Sequence, residues 1–218
     1  FSLNSSAITS EGALALTGAT GIDFGAGVVF TGGGDVSMST NSGDLVGAGA
    51  FTLTSTGNIS LSENLTTAGT TVIAADSDGN GAGDFSIGTS TTLSTGNNSL
   101  TLTANDITVS GSISSGTGST TIAVSDGGTI GLGGTSGNMT ITDAELSKIT
   151  AGTLNIGNSS TGNITVDGIS AANSDNVGTV NLTTASGSSV SFSNNDSTFN
   201  ALAVNGGSTS FGNGLTIA

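Results

Sequence analysis

Apolar and polar positions alternate along the chain in short runs, the pattern of a β-strand with one dry face. The clearest example lies between Leu100 and Val124, where apolar pairs are separated mostly by Thr, Ser, Gly and Asn. A period of two directs these apolar side chains to the same side of the backbone. The sequence predicts that the following residues point inward: Leu100, Leu102, Ile107, Val109, Ile113, Ile122 and Val124.

The same arrangement of pairs recurs along the chain. It begins at Phe51/Leu53, at Leu100/Leu102, at Leu154/Ile156 and at Leu202/Val204. Each copy also contains a later pair, of which Val72/Ala74 is an example. The unit is about 50 residues long, a period typical of solenoids and propellers, and we interpret it as two coils of about 24 residues each.

This pattern predicts an all-β, right-handed parallel β-helix (β-solenoid) of about nine coils, in which each strand stacks on its counterpart one coil earlier. We see neither a linker nor a shift in composition, so residues 1–218 are expected to form a single domain. The chain contains no proline, which suits uninterrupted strand ladders. A sandwich would favour longer strands, and propeller blades usually carry aromatic signatures, whereas this chain lacks Trp and Tyr.

One segment departs from the strand pattern. Thr142 and Glu145 match a capping box, and Leu146 and Ile149 are spaced to share one helical face. One or two helical turns are therefore expected here, with Leu146 and Ile149 packed onto the solenoid. A tight corner is the alternative.

Composition narrows the classes of function. The chain has 15 acidic residues and a single base, Lys148, giving a formal net charge of −14. Nucleic acid is an unfavourable partner, because its phosphates require Lys and Arg. No apolar run approaches the roughly 18 residues that would insert into a membrane. The absence of Cys excludes disulfides and thiolate chemistry.

The segment from Met139 to Ser170 resembles the repeats of filamentous-haemagglutinin-like bacterial exoproteins, most clearly in its phrase Asp-Ala-Glu-Leu-Ser-Lys-Ile-Thr-Ala-Gly-Thr-Leu. The acidic stretch from Asp76 to Asp84 and the strands after it also look like such repeats. The resemblance implies a right-handed parallel β-helix, secretion across the outer membrane and a role in adhesion or surface structure. It implies no catalytic residues.

The most distinctive cluster of oxygen ligands is Asp76, Asp78, Asn80 and Asp84, arranged around glycines. Their spacing resembles the first part of a calcium-binding loop, since Ca²⁺ prefers clustered carboxylate and amide oxygens. Ile87 stands where such a loop would place a bidentate Glu. A calcium site and a solvated acidic corner are therefore the two interpretations of this loop, and no other cofactor is indicated.

Two further patterns carry competing interpretations. Asp143 and Glu145 could form a glycosidase pair, but helix capping explains them better, and no His, Cys or Tyr is present to widen the acid–base chemistry. Outward Thr-x-Thr pairs, such as Thr52/Thr54 and Thr101/Thr103, could bind ice. Because the series skips coils, with Asn155 and Ala203 interrupting it, ordinary β-propensity is the preferred explanation.

These observations predict a non-enzymatic, extracellular structural or adhesive protein, secreted or held at the cell surface. The alternative is a carbohydrate-binding or carbohydrate-cleaving β-helix. Phe1/Leu3 and Thr209/Phe211 stand at nearly the same phase of the repeat. We therefore expect the solenoid to continue, either in one long chain or by head-to-tail stacking of copies into a fibre. Host or neighbouring cell surfaces and glycans are further candidate partners.

Overall fold

A computed structural model describes residues 2–4 and 7–218 of the protein. The pair formed by Phe1 and Leu3 lies partly outside these residues.

Apart from two four-residue helices, the described segments of regular structure are strands. The elements in chain order are β1 (Ser2–Leu3), β2 (Ala7–Ser10), β3 (Leu14–Gly18), β4 (Ile22–Phe24), β5 (Val28–Gly32), β6 (Val36–Thr40), β7 (Leu45–Gly47), β8 (Phe51–Ser55), β9 (Ile59–Leu61), β10 (Leu65–Thr67), β11 (Thr71–Ala74), β12 (Phe85–Ile87), β13 (Thr92–Ser94), β14 (Leu100–Ala104), β15 (Ile107–Val109), β16 (Ser112–Ser114), β17 (Ser119–Val124), β18 (Ile130–Gly133), β19 (Met139–Ile141), α1 (Asp143–Leu146), β20 (Ile149–Ile156), β21 (Ile164–Asp167), α2 (Ala171–Ser174), β22 (Val177–Thr183), β23 (Ser189–Phe192), β24 (Ser197–Phe199), β25 (Leu202–Asn205), β26 (Ser208–Phe211) and β27 (Leu215–Ile217).

These strands stack in parallel as a β-solenoid of about ten turns, which confirms the predicted fold class. Each of the first five coils contributes one strand to each of three faces. Face A contains β1, β4, β7, β10, β13, β16 and the start of β20. Face B contains β2, β5, β8, β11, β14, β17, β20, β22 and β25. Face C contains β3, β6, β9, β12 and β15, and a further sheet, face D, orders β19, β18, β21, β23 and β26.

The strand register confirms that the 50-residue unit is two coils. Phe51 pairs with Thr71, and Thr71 pairs with Leu100 two coils from the start. Coils differ in length because loops are inserted at the corners. The step from Leu45 to Leu65 is 20 residues, and the step from Leu65 to Leu93 is 28, because the second contains the acidic loop.

The core is a continuous column of apolar side chains running inside the coils from Ile22 to Phe199. All seven side chains predicted to point inward between Leu100 and Val124 are buried, with at most 3% of their surface exposed. At one end of the core, the rings of Phe24, Phe30 and Phe51 pack with centroids 5.2–5.7 Å apart. Like residues thus stack along the axis, as the repeat predicts.

The predicted inward pair Val72/Ala74 is wrong. Strand β11 directs Thr71 and Ile73 into the core, both with 0% exposure, and leaves Val72 and Ala74 on the outside. The Thr71 hydroxyl lies 2.6 Å from the hydroxyl of Thr67 across the corner, so this buried polar group is satisfied. The alternation of apolar residues does not predict the inward position of Thr71, because Thr is polar. When its hydroxyl is hydrogen-bonded, however, Thr can occupy a buried position that is otherwise filled by Leu.

Between faces C and D, the order of strands along the axis departs from their order in the chain. Strand β18 is followed by a return loop, residues 134–138, and then by β19, which pairs with β18 in parallel. Strand β19 therefore lies between β15 and β18. The Asp106 Oδ1 atom bridges this junction by accepting hydrogen bonds from the backbone N–H groups of Ile107, at 2.9 Å, and Thr140, at 2.8 Å.

Candidate functional site

The acidic loop is an insertion at the corner between faces B and C. It connects β11 to β12, and only Asn105 and Asp106 separate the equivalent strands one coil later. Gly79 and Gly81 adopt positive φ angles of 65° and 77°, which glycine reaches without strain. The insertion bends back on itself and brings its own backbone amides over the side chain of Asp76.

Asp76 is buried and acts as the centre of this loop, with 1% of its surface exposed. Its carboxylate accepts hydrogen bonds from the N–H groups of Asn80 at 3.0 Å, Gly81 at 3.0 Å and Ala82 at 3.4 Å. The hydroxyl of Ser125 donates to the same carboxylate from two coils away. Burial acts to raise the pKa of Asp76, but these donors outweigh burial and lower the pKa.

The other three residues of the candidate calcium loop are exposed and point to different partners. Asp78 accepts a hydrogen bond from the side-chain amide of Asn80 at 2.8 Å. Asp84 accepts from the side chain of Asn105 at 2.9 Å and from the backbone of Asp106 at 3.1 Å. Within residues 2–4 and 7–218, no three acidic side chains are grouped so that they could hold a metal ion. Calcium binding by this loop stays a prediction.

Asp84 belongs to a ladder of Asp and Asn side chains along the corner between faces B and C. Asp35 accepts from the backbone and side-chain N–H groups of Asn58, and Asn58 accepts in turn from the backbone N–H of Asp84. Asp84 and Asp106 continue the ladder upward to Thr140. Each side chain thus satisfies a backbone donor of the coil above it. Burial, followed by the negative charges of Asp84 and Glu145, raises the pKa of Asp106.

The two carboxylates of the glycosidase hypothesis both make capping hydrogen bonds. Glu145 forms the predicted capping box with Thr142 at the start of α1. Asp143 accepts from the backbone N–H and hydroxyl of Ser170, at 3.0 and 2.9 Å, and so caps the N-terminus of α2 one coil further along. Capping accounts for both acids, although no local pattern predicted that Asp143 would cap the second helix.

Glu145 has a second role that sequence reasoning missed. Its Oε1 atom accepts a hydrogen bond from the backbone N–H of Val109 at 2.9 Å, and the Lys148 Nζ atom donates to the carbonyl of the same residue at 2.9 Å. In a parallel ladder, both backbone groups of one residue face the same neighbouring strand. Because β19 contacts β15 without pairing to it, Glu145 and Lys148 bond the backbone groups of Val109 that a paired strand would otherwise bond.

A second buried acid stabilises the loop after β23. Asp167 accepts hydrogen bonds from the side chains of Asn194 and Asn195, each at 2.9 Å, and from the backbone of Asn195 at 2.9 Å. These donors lower the pKa of Asp167. The side chain thus fixes the corner one coil above it, as Asp76 fixes the acidic loop.

The outward Thr residues of face B lie in a column that runs along the axis and also contains other residues. Thr52 and Thr101 are two coils apart, and Val72 occupies the same outward column between them. Beyond Thr101 the column continues through Thr121 to Asn155. The column then passes through Asn181 to Ala203, so the predicted interruption of the Thr series by Asn155 and Ala203 is confirmed, and the Thr and Val positions lie between β5 and β17.

No protein-family model, curated protein or solved structure matches the chain. The described residues include no helix with the length and apolar character required to cross a membrane.

Proposed function

We propose that the chain forms part of a non-enzymatic, extracellular structural or adhesive fibre of the filamentous-haemagglutinin-like type. The observation that carries the proposal is the axial ladder of face B. It joins consecutive parallel strands from Ala7 to Asn205 around a single core. At about 4.8 Å per strand, this part of the rod is roughly 38 Å long. A rod that grows by adding identical layers suits a protein that must extend from a surface.

The charge distribution is compatible with axial growth. A net charge of −14 opposes lateral clumping of rods in solution. The last coil of the described chain exposes 60% of Phe211 and 53% of Ile217. A further coil laid on this surface, from the same polypeptide or from another copy, would cover both side chains and pair the strand edges.

Electron microscopy of the native material tests the proposal. We expect filaments with the cross-section of the solenoid, labelled by antibodies against the chain at the cell surface. Discrete globular particles, or labelling confined to the cell interior, would contradict it.

A comparison of two variants tests axial stacking in solution. Phe211→Asp places a charge at the exposed end of the solenoid, whereas Val46→Asp places one at the side, where Val46 is 41% exposed. In sedimentation velocity, Phe211→Asp should reduce self-association and Val46→Asp should not. Equal effects would assign the contact to a lateral surface.

A glycan array and a reducing-sugar assay on the purified chain distinguish the proposed structural or adhesive protein from the alternative, a carbohydrate-binding or carbohydrate-cleaving β-helix. An adhesive protein can bind glycans on the array, but it releases no reducing sugar. Turnover of any polysaccharide would replace the present proposal by an enzymatic one.

A further inference from the structure

The outer surface of face B is a regular array of Thr and Val without charged residues. One outward column contains Val29, Thr52, Val72, Thr101 and Thr121, contributed by the successive strands β5, β8, β11, β14 and β17. A second column, two residues further along each strand, includes Thr31, Thr54 and Thr103, with Ala74 between Thr54 and Thr103 and the buried Ala123 after Thr103. All five strands are in register.

The charge of the molecule lies elsewhere. The chain has 15 acidic residues, yet none of the strands of face B contains an acidic residue or Lys148. Acidic side chains instead follow the corners, as in the ladder through Asp35, Asp84 and Asp106. A neutral face on a protein of net charge −14 is suited to a neutral ligand with a repeating surface.

Several hydroxyls of the array have no hydrogen-bond partner among residues 2–4 and 7–218. In the described part of the chain, the Thr52, Thr101 and Thr103 hydroxyls neither donate nor accept a hydrogen bond, although Thr54 donates to the Phe30 carbonyl at 3.1 Å. These three side chains are partly exposed. Their hydroxyls can therefore form hydrogen bonds with water. The neighbouring methyl groups of Thr and Val form none, and water can only order around them.

The geometry points to ice as the ligand, and we propose that face B from β5 to β17 is an ice-binding surface. Neighbouring strands repeat at about 4.8 Å, and alternate residues of one strand repeat at about 6.6 Å. The spacing between strands is close to the shortest repeat of oxygen atoms in hexagonal ice, whereas the spacing along a strand is shorter than the axial repeat of that lattice. Water held at this spacing by hydroxyls and ordered between the methyl groups can join the ice lattice.

The fold supplies the rigidity that such binding requires. The strands of the array pair with a strand on each side, and their inward residues Phe30, Leu53, Ile73, Leu102 and Ile122 are fully buried. The hydroxyl and methyl positions are thus fixed before ice is met, which lowers the entropic cost of adsorption. This binding is independent of fibre formation.

Thermal hysteresis of the purified chain, with observation of crystal shape, tests the proposal. We expect a gap between melting and freezing temperatures, with faceted crystals in the gap. Thr101→Lys and, separately, Thr103→Lys should each lose most of the gap, because Lys carries a charged hydration shell into the array. Thr108→Lys is the matched control, since Thr108 is exposed on face C, and it should retain the gap.

Melting curves of the variants confirm that each remains folded at the assay temperature. The absence of both hysteresis and recrystallisation inhibition in the unmodified chain would overturn the proposal, as would equal losses in the Thr108 and Thr101 variants. Self-association of the unmodified chain that Thr101→Lys abolishes, without any effect on ice, would instead make face B a contact between copies.

Discussion

At the scale of single residues, two acids with oppositely shifted pKa values contribute to stability in opposite directions. The folded state stabilises the charge of Asp76 through three backbone N–H groups and the Ser125 hydroxyl, so its pKa is lowered from the ordinary 3.8. The folded state disfavours the charge of Asp106, so its pKa is raised from the same value. Substitution by Asn removes either charge while keeping the size of the side chain.

Asp76→Asn should lower the free energy of unfolding by about 2 kcal/mol at pH 7, the scale of hydrogen bonds to a charged group. Because the folded-state pKa is lowered, this stabilisation is full above pH 3.8 and is lost as the pH falls through the folded-state pKa.

Asp106→Asn should raise the free energy of unfolding at pH 7, since Oδ1 still accepts from Ile107 and Thr140. Urea titrations at pH 7 and pH 3 measure both, and the gain from Asp106→Asn should disappear below pH 3.8. Changes of the same sign at pH 7 would contradict the assignment.

The calcium hypothesis is tested at the same scale. If the loop residues Asp76, Asp78, Asn80 and Asp84 hold Ca²⁺, EDTA should lower the melting temperature, because a ligand bound only to the folded state stabilises that state. Asp78→Ala should then abolish the difference between calcium and EDTA, and Asp23→Ala, at an exposed acid on β4 of face A, should preserve it. Identical melts with calcium and EDTA would leave the loop organised by Asp76 alone.

At the scale of elements, helix α1 ends face C. Glu145→Ala removes both the capping box and the acceptor for the Val109 amide, and should cost about 2 kcal/mol. Glu145→Gln keeps an acceptor of the same length and should cost much less. Hydrogen exchange at the Val109 amide gives a local measurement, which should accelerate in Glu145→Ala while exchange at Ile87 stays unchanged. Uniform acceleration across β12 and β15 would show general loosening instead.

The return loop between β18 and β19 makes a close approach that only glycine permits. A Cβ atom at Gly131 would lie 2.3 Å from the Thr135 carbonyl oxygen, whereas one at Gly12 would meet nothing within 4 Å. Gly131→Ala should therefore lower the free energy of unfolding by about 1–3 kcal/mol, the range for overpacking. Gly12→Ala should change it by less than about 0.5 kcal/mol. Equal effects in chemical denaturation would show that the loop can move away from β18.

The elements also show how far the sequence could be interpreted. The inward direction of Leu100, Leu102 and the other apolar residues up to Val124 is predictable, because alternate residues of a strand lie on the same face. The phase of β11 was mistaken because Thr71 is polar but hydrogen-bonded across a corner. The capping of α2 by Asp143 and the docking of Glu145 on Val109 connect residues 27 and 36 positions apart. Such contacts depend on which coils become neighbours, and the local spacing of residues does not predict which coils these are.

At the scale of the whole molecule, the protein is a rod built by stacking coils on one axis. Thr31 and Asn205 lie in the same outward column of face B, on β5 and β25, and both are exposed. Seven strand spacings separate them, which is roughly 34 Å at about 4.8 Å for each spacing. The chain has no Cys, so labels can be attached only at introduced positions.

The most direct test of the stacked solenoid is a pulsed electron paramagnetic resonance distance measurement on the variant carrying Thr31→Cys and Asn205→Cys, each modified with a nitroxide. The account predicts a single narrow distribution centred at roughly 34 Å, broadened only by the label arms. A broad distribution, or a centre below about 20 Å as in a folded-back sheet arrangement, would contradict it.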